Sequence, residues 1–252
     1  MSELELYRAL SYGVIASGVV ALIVLLFISA PYGRHARDGW GPKIPARLGW
    51  IFMESPAVLL FVWVYVQGEH AAALVPLTLC ALWQIHYIHR TFIFPFRIRA
   101  DGKMMPLVVA LMAFGFQLVN AWTNARWLSQ LGSYPEISSA SPLFFIGVAV
   151  FVCGLAINLH ADTVLLALRA PGETGYRIPK GGLYRYITCP NYFGEILEWT
   201  GFALASWSLS GFAFLVFTVT NLAPRAVANH RWYREKFADY PPERRVLVPG
   251  IF

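Results

Sequence analysis

The chain has 252 residues, 57% of them hydrophobic and only 13% charged, with a formal net charge of +6. A soluble domain carries about 25% charged residues, so the composition excludes one and implies a multi-pass membrane protein. Cys80, Cys153 and Cys189 lie far apart, in or beside apolar segments and without a CxxC, which argues against a zinc site or a disulfide framework.

The opening MSELELYRAL runs into an apolar stretch with no basic region ahead of it and no small-residue cleavage site, and is read as a retained helix. At about 20 residues per crossing, the sequence predicts seven helices, over 9–30, 49–67, 71–94, 105–128, 141–168, 191–208 and 210–230. The last two, separated only by Ser208-Leu-Ser-Gly211, form a tight helical hairpin. No internal repeat or low-complexity tract breaks the chain, so 1–252 is expected to be a single domain of all-α integral membrane type.

Charge sets the expected orientation. In a seven-span arrangement, every one of the 20 Lys and Arg residues except Arg8 and Arg126 falls at the same end. By the positive-inside rule that end is cytoplasmic, the N-terminus outside and the C-terminus inside. Topology marking explains this count. It does not explain why Asp162, Glu195 and Glu198 point toward the same end.

The second span contains Trp50-Ile-Phe-Met-Glu54-Ser-Pro56. An ionisable group in an apolar span favours its neutral form, and a neutral acid donates a hydrogen bond to a carbonyl oxygen. The competing reading is a cap or pair near the helix end beside Pro56; the cost of an intramembrane carboxylate favours function. The third span ends in Gln84-Ile-His86-Tyr87-Ile-His89-Arg90-Thr91. His86 and His89 are one turn apart, but six histidines in all are too few for a membrane di-iron site, and metal is set aside. Taken alone, Tyr87 reads as an interfacial aromatic; pairing with Glu54 would change that.

The clearest signal runs from Asn158 to Glu198. Asn158, Asp162 and Arg169, at i, i+4 and i+11, fall within roughly a 40° arc of one greasy helix that begins near Pro142. His160 lies roughly 200° from Asn158 and is read as structural. A basic, glycine-containing loop through Tyr176-Arg177-Ile-Pro-Lys180-Gly181-Gly182 leads to a second stripe of Asn191, Glu195 and Glu198. Polar stripes in lipid must face protein or trapped water, and two of them joined by a basic loop suit an anionic, hydrogen-bonding ligand. The last span carries Asn221, Arg225, Asn229 and Tyr233 at i+4 steps. Arg225 there either pairs with an acid or phosphate, or snorkels to the interface. No GxGxxG after a strand and no GxxxxGK[ST] is present, so a bound nucleotide would be held by helix faces and loops.

These strings resemble the steroid 5α-reductases (3-oxo-5α-steroid 4-dehydrogenases). The resemblance is carried by Asn158-Leu-His160-Ala-Asp162, Arg169-Ala-Pro-Gly-Glu173, Tyr176-Arg177-Ile-Pro-Lys-Gly-Gly182-Leu and Asn191-Tyr-Phe-Gly-Glu195-Ile-Leu-Glu198-Trp199. His86-Tyr87-Ile-His89-Arg90-Thr91 and the closing Asp239-Tyr-Pro and Pro249-Gly-Ile-Phe252 fit the same pattern. The resemblance implies an NADPH-dependent reductase of the 4,5 double bond of 3-oxo-4-ene steroids, with most of the cofactor site in 142–252. It implies that Glu54 and Tyr87 hold the 3-carbonyl. It also implies that Trp50, Arg90, Asn158, Asp162, Arg169, Tyr176, Arg177, Asn191, Glu195, Arg225 and Tyr233 line the cofactor site. Met53 stands where mammalian members carry glutamine, and Asn229 where they carry histidine. The expected partners are a steroid or other hydrophobic enone and membrane lipid, not nucleic acid, with the chain a monomer. The expected membrane is the endoplasmic reticulum in a eukaryote or the cytoplasmic membrane in a bacterium. The alternatives are a membrane reductase of another conjugated lipid, a sterol or enoyl thioester, and a transporter or lipid-binding protein. An odd span count and the lack of paired broken helices weigh against a transporter.

Overall fold

The computed structural model describes residues 1–28, 38–98, 102–168 and 175–252. Its helices in chain order are α1 (Glu3–Phe27), α2 (Ala46–Tyr65), α3 (Leu74–Ile88), α4 (Phe94–Arg97), α5 (Leu107–Arg126), α6 (Pro142–Ala167), α7 (Pro190–Ser206) and α8 (Leu209–Lys236). Among the described residues, five stretches are long and apolar enough to cross a membrane: α1, α2, Leu107–Leu131, α6 and α8. The protein is therefore a mostly helical, multi-pass membrane protein.

One expectation changes. The expected 71–94 helix is not uniform: α3 has 15 residues, then a π turn over His89–Ile93 leads into α4. A second π turn, Trp127–Leu131, extends α5. The fold is otherwise mostly helical, consistent with the expected all-α class. A two-stranded antiparallel ribbon pairs β1 (Lys43–Pro45) with β2 (Met104–Pro106). Each strand ends on a proline that opens the next helix, Pro45 before α2 and Pro106 before α5. Proline fits that junction because a helix start needs no N–H there.

The ribbon brings the starts of α2 and α5 to one end, the basic end. At the other end, Arg126 Nε and Nη2 sit 2.6 and 3.0 Å from the Glu3 carboxylate. Tyr7 stacks on Trp127 at 4.9 Å, and its hydroxyl accepts from Ser210 N at 3.0 Å. The α7–α8 hairpin turns through Trp207 in the left-handed region (φ 43°), and Ser208 caps α8 by accepting from Gly211 N at 3.0 Å. The core centres on buried Trp83, whose ring meets Phe61, Trp199 and Phe202 at 4.8, 5.4 and 5.5 Å.

α6 and α7 touch backbone to backbone. Gly147 and Gly154 face Gly201 and Gly194; a Cβ on Gly194 would stand 2.5 Å from Asn158 N, and one on Gly147 2.5 Å from Ala205 N. Only glycine permits this approach, and small residues let membrane helices gain packing that lipid cannot supply. Near the basic end the same contact sets the α6 and α7 polar stripes against each other.

Candidate active site

Glu54 on α2 and Tyr87 on α3 are joined by a residue that the sequence did not single out, Gln117 on α5. Gln117 Nε2 donates to Glu54 Oε2 at 2.7 Å and to Tyr87 Oη at 3.2 Å. Acid, phenol and amide thus share one locus inside the bundle. Tyr87 is buried there, while Glu54 keeps part of its surface open. Beside them His86 Nδ1 meets Glu198 Oε1 at 2.7 Å, both side chains almost wholly buried. The edge of the His86 ring packs on Tyr87 and Trp199 at 4.9 and 4.8 Å.

One turn toward the basic end, Arg90 lies in the π turn. Such wide turns recur at functional sites. Its guanidinium lies 4.7 Å from the Trp50 ring and 4.8 Å from Phe94, and Trp50 Nε1 donates to the Arg90 carbonyl at 3.1 Å. Arg90 Nη1 stands 3.9 Å from Asp162 Oδ2, an ion pair too long for a direct hydrogen bond. Asp162 Oδ1 accepts from Asn191 Nδ2 at 3.1 Å, and Asn158 Nδ2 donates to the Asn191 carbonyl at 2.9 Å. Glu195 lies on the same face of α7 as Asn191 and Glu198, four residues after the one and three before the other.

The remaining expected residues form an outer group. Arg225 Nη1 donates to Asn221 Oδ1 at 3.0 Å, and its guanidinium lies over Tyr192, next to Asn191. Tyr176 packs against Trp232 at 4.8 Å, and Arg177 is exposed on the same loop. Tyr233 is buried against Tyr240 and Phe237 of the C-terminal tail, at 5.4 and 5.9 Å. That tail anchors the entry to α7: Thr188 N donates to the Arg245 carbonyl at 2.9 Å, and the Thr188 hydroxyl meets Tyr240 Oη at 2.7 Å. α6 ends at Ala167, and Arg169, expected to extend its stripe, lies outside the described residues. His160, read as structural, has Gly182 of the incoming loop close against its ring.

Gln117 had a readable signal. It stands with Asn120 and Asn124 at i, i+3 and i+7, a buried amide face within an apolar span. The His86–Glu198 pair had none, because its partners lie on different helices far apart in sequence.

Fold and site together define a polytopic helical membrane protein with an acid and a phenol gathered inside the bundle below a basic rim. A family model described as 3-oxo-5-alpha-steroid 4-dehydrogenase matches residues 103–252. The chain is 44% identical to 3-oxo-5-alpha-steroid 4-dehydrogenase 1 of Bos taurus, over 100% of this chain and 99% of that protein. It is 43% identical to the Rattus norvegicus protein of the same name, over 92% and 90%. It is 37% identical to Steroid 5-alpha-reductase DET2 of Arabidopsis thaliana, over 100% and 99%. The chain belongs to the 3-oxo-5-alpha-steroid 4-dehydrogenase family, and it is an enzyme, an oxidoreductase of the steroid 5α-reductase kind.

Proposed function

We propose that this enzyme uses NADPH to reduce the 4,5 double bond of 3-oxo-4-ene steroids to the 5α products. The observation that carries the residue assignment is the convergence of Glu54 and Tyr87 on one amide inside an apolar bundle. An enone accepts hydride at its β-carbon only when the negative charge growing on its oxygen is stabilised. Neutral Glu54 and Tyr87 are two O–H donors for that oxygen, and fixed donors in a dry site act as an oxyanion hole does. As the 4,5 π pair shifts toward C3 and the 3-oxygen, C5 becomes electrophilic. Protonation at C4 then returns the ketone, so the reaction takes up one proton with the hydride.

The donor set suits a nicotinamide dinucleotide. Arg90 and Arg225 supply cations for a diphosphate; Asn158, Asn191 and Asp162 supply amide and carboxylate partners, and Trp50 an aromatic face. When bound, the cofactor supplies the hydride and the protein supplies position and electrostatics. Glu195, on the α7 face between Asn191 and Glu198, belongs to the inner part of the assignment; Tyr176, Arg177 and Tyr233 complete it toward the outer part of the cofactor, with Arg169 assigned by family resemblance alone.

The proposal includes seven crossings, with the basic end cytoplasmic. The ribbon puts the starts of α2 and α5 at one end, so the chain between them must return across the bundle. The run Leu74–Arg97, including its π turn, is the segment that can do so. The same reasoning makes α7 a crossing, since it joins the Asn158 end of α6 to the start of α8. The steroid partitions into lipid and enters between helices.

The test follows nicotinamide absorbance with purified protein, NADPH and a 4-ene-3-one steroid. Steroid-dependent oxidation is expected, with Tyr87→Phe slowing turnover about a hundredfold, the scale of one lost oxyanion donor, while NADPH affinity holds. Oxidation only with a sterol or an enoyl thioester would transfer the reading to another conjugated lipid. Tyr87→Phe with full turnover and weakened NADPH binding would overturn the role given to Tyr87.

A further inference from the structure

We infer that Gln117 is a positioning residue that aims the protons of Glu54 and Tyr87 at the carbonyl oxygen of the substrate. The inference rests on the reading of Glu54 and Tyr87 given above. It starts from a chain of three buried amides on α5. Asn124 Nδ2 lies 3.0 Å from the Asn120 backbone carbonyl and 3.0 Å from Asn120 Oδ1. A backbone carbonyl only accepts, so the Asn124 atom facing it must be the nitrogen. That nitrogen then donates to Asn120 Oδ1, which turns Asn120 Nδ2 toward Gln117 Oε1 at 3.3 Å. Gln117 Oε1 is thereby the acceptor, and Gln117 Nε2 must face Glu54 and Tyr87. The orientation of the last amide is fixed by a backbone carbonyl two side chains away.

The consequence is chemical. An amide NH2 has two hydrogens and no acceptor capacity. One hydrogen occupies a lone pair of Tyr87 Oη, so the phenol's own hydrogen must point elsewhere. The other occupies Glu54 Oε2, which leaves the acid proton on Oε1. Neither hydrogen goes to the amide, and among the described residues phenol and acid make no hydrogen bond with each other, so both hydrogens are left for a third oxygen. Without Gln117, phenol and acid would be free to hydrogen-bond each other, and the hole would have to reorganise on substrate binding. Met53, beside Glu54, has no donor with which to replace the amide.

The experiment compares full-length wild type with Gln117→Leu, Gln117→Glu and Tyr87→Phe. The readouts are NADPH dissociation constant, kcat, steroid KM and the infrared stretch of a bound 4-ene-3-one steroid labelled with carbon-13 at C3. Gln117→Leu is expected to lower kcat about ten- to a hundredfold, the scale of lost preorganisation, with NADPH affinity unchanged. The bound carbonyl stretch should move back toward its value in apolar solvent, since its hydrogen bonds weaken. Adding Gln117→Leu to Tyr87→Phe should lower kcat less than it does alone, because the amide then has one donor fewer to aim. Gln117→Glu keeps the shape and has at most one hydrogen to give, so it is expected to lose at least tenfold in kcat. It carries the test if the leucine variant does not fold. Wild-type kcat and an unmoved carbonyl band in either folded variant overturn the inference, provided that Tyr87→Phe is impaired. Full turnover in Tyr87→Phe overturns instead the reading of the site on which the inference depends.

Discussion

The His86–Glu198 pair shows how much a single side chain can cost inside a membrane bundle. Glu198 is fully buried and His86 5% exposed, and Glu198 Oε1 lies 2.7 Å from the imidazole. Removing one member of a buried pair strands the other, at about 3–5 kcal/mol, whereas replacing both with apolar groups of similar volume is often neutral. His86→Leu alone should therefore lower the thermal midpoint far more than His86→Leu with Glu198→Met, measured by unfolding in detergent. A double variant less stable than the single would mean that the pair holds the fold by its own net attraction. The ring contacts of His86 to Tyr87 and Trp199 add a second expectation. The stable double variant should still lose turnover, because Tyr87 loses one of the walls that position it.

Among the elements, the α6–α7 contact decides whether the polar stripes meet. A Cβ on Gly154 would collide with the Glu198 backbone nitrogen and the Gly194 carbonyl, neither of which can swing aside as a side chain would. Overpacking of this kind costs about 1–3 kcal/mol, and relief requires the helices to part. Parting them would stretch the Asn158–Asn191 and Asn191–Asp162 bonds, now 2.9 and 3.1 Å. Gly154→Val should then weaken NADPH binding although it touches no proposed cofactor residue; Gly115→Val, where a Cβ meets nothing within 4 Å, should not. Equal NADPH affinity in both variants would refute the coupling. The stripes themselves were legible from i+4 spacing, because a helix face is a one-dimensional pattern. The seven-residue glycine spacing on both helices was equally periodic, but it names a close contact only once the partner helix is known. The π turn at His89–Ile93 had no pattern of its own, since one extra residue in a turn leaves the apolar content unchanged.

For the whole molecule, the charge asymmetry was the most legible feature, and the structure gives it geometric content. Arg47, Arg90, Arg97 and Arg225 gather at the end where the ribbon, the Asp162 cluster and the tail lie. At the opposite end Arg126 is tied to Glu3. What sequence could not supply was convergence across helices: the meeting of Glu54, Tyr87 and Gln117 depends on three segments far apart in the chain. The proposed orientation turns on the same asymmetry, and the span count can be checked with it. With an odd number of crossings, the termini lie on opposite sides. A fluorescent protein fused after Phe252 should be bright, and an epitope ahead of Met1 should be reached by antibody without permeabilising the membrane that holds the enzyme. Five and seven crossings both meet that condition, so the decisive positions are internal. With seven, a cysteine replacing Gln67 between α2 and α3 reacts with an impermeant maleimide from the N-terminal side, and one replacing Gly102 between α4 and β2 does not. If Leu74–Arg97 lay along the surface instead, both positions would label from one side, and α2 and α5 could not start together at the ribbon. The ends of α2 and α5, the cytoplasmic face of the site and the reach of a soluble cofactor to Arg90 therefore stand or fall on one labelling pattern.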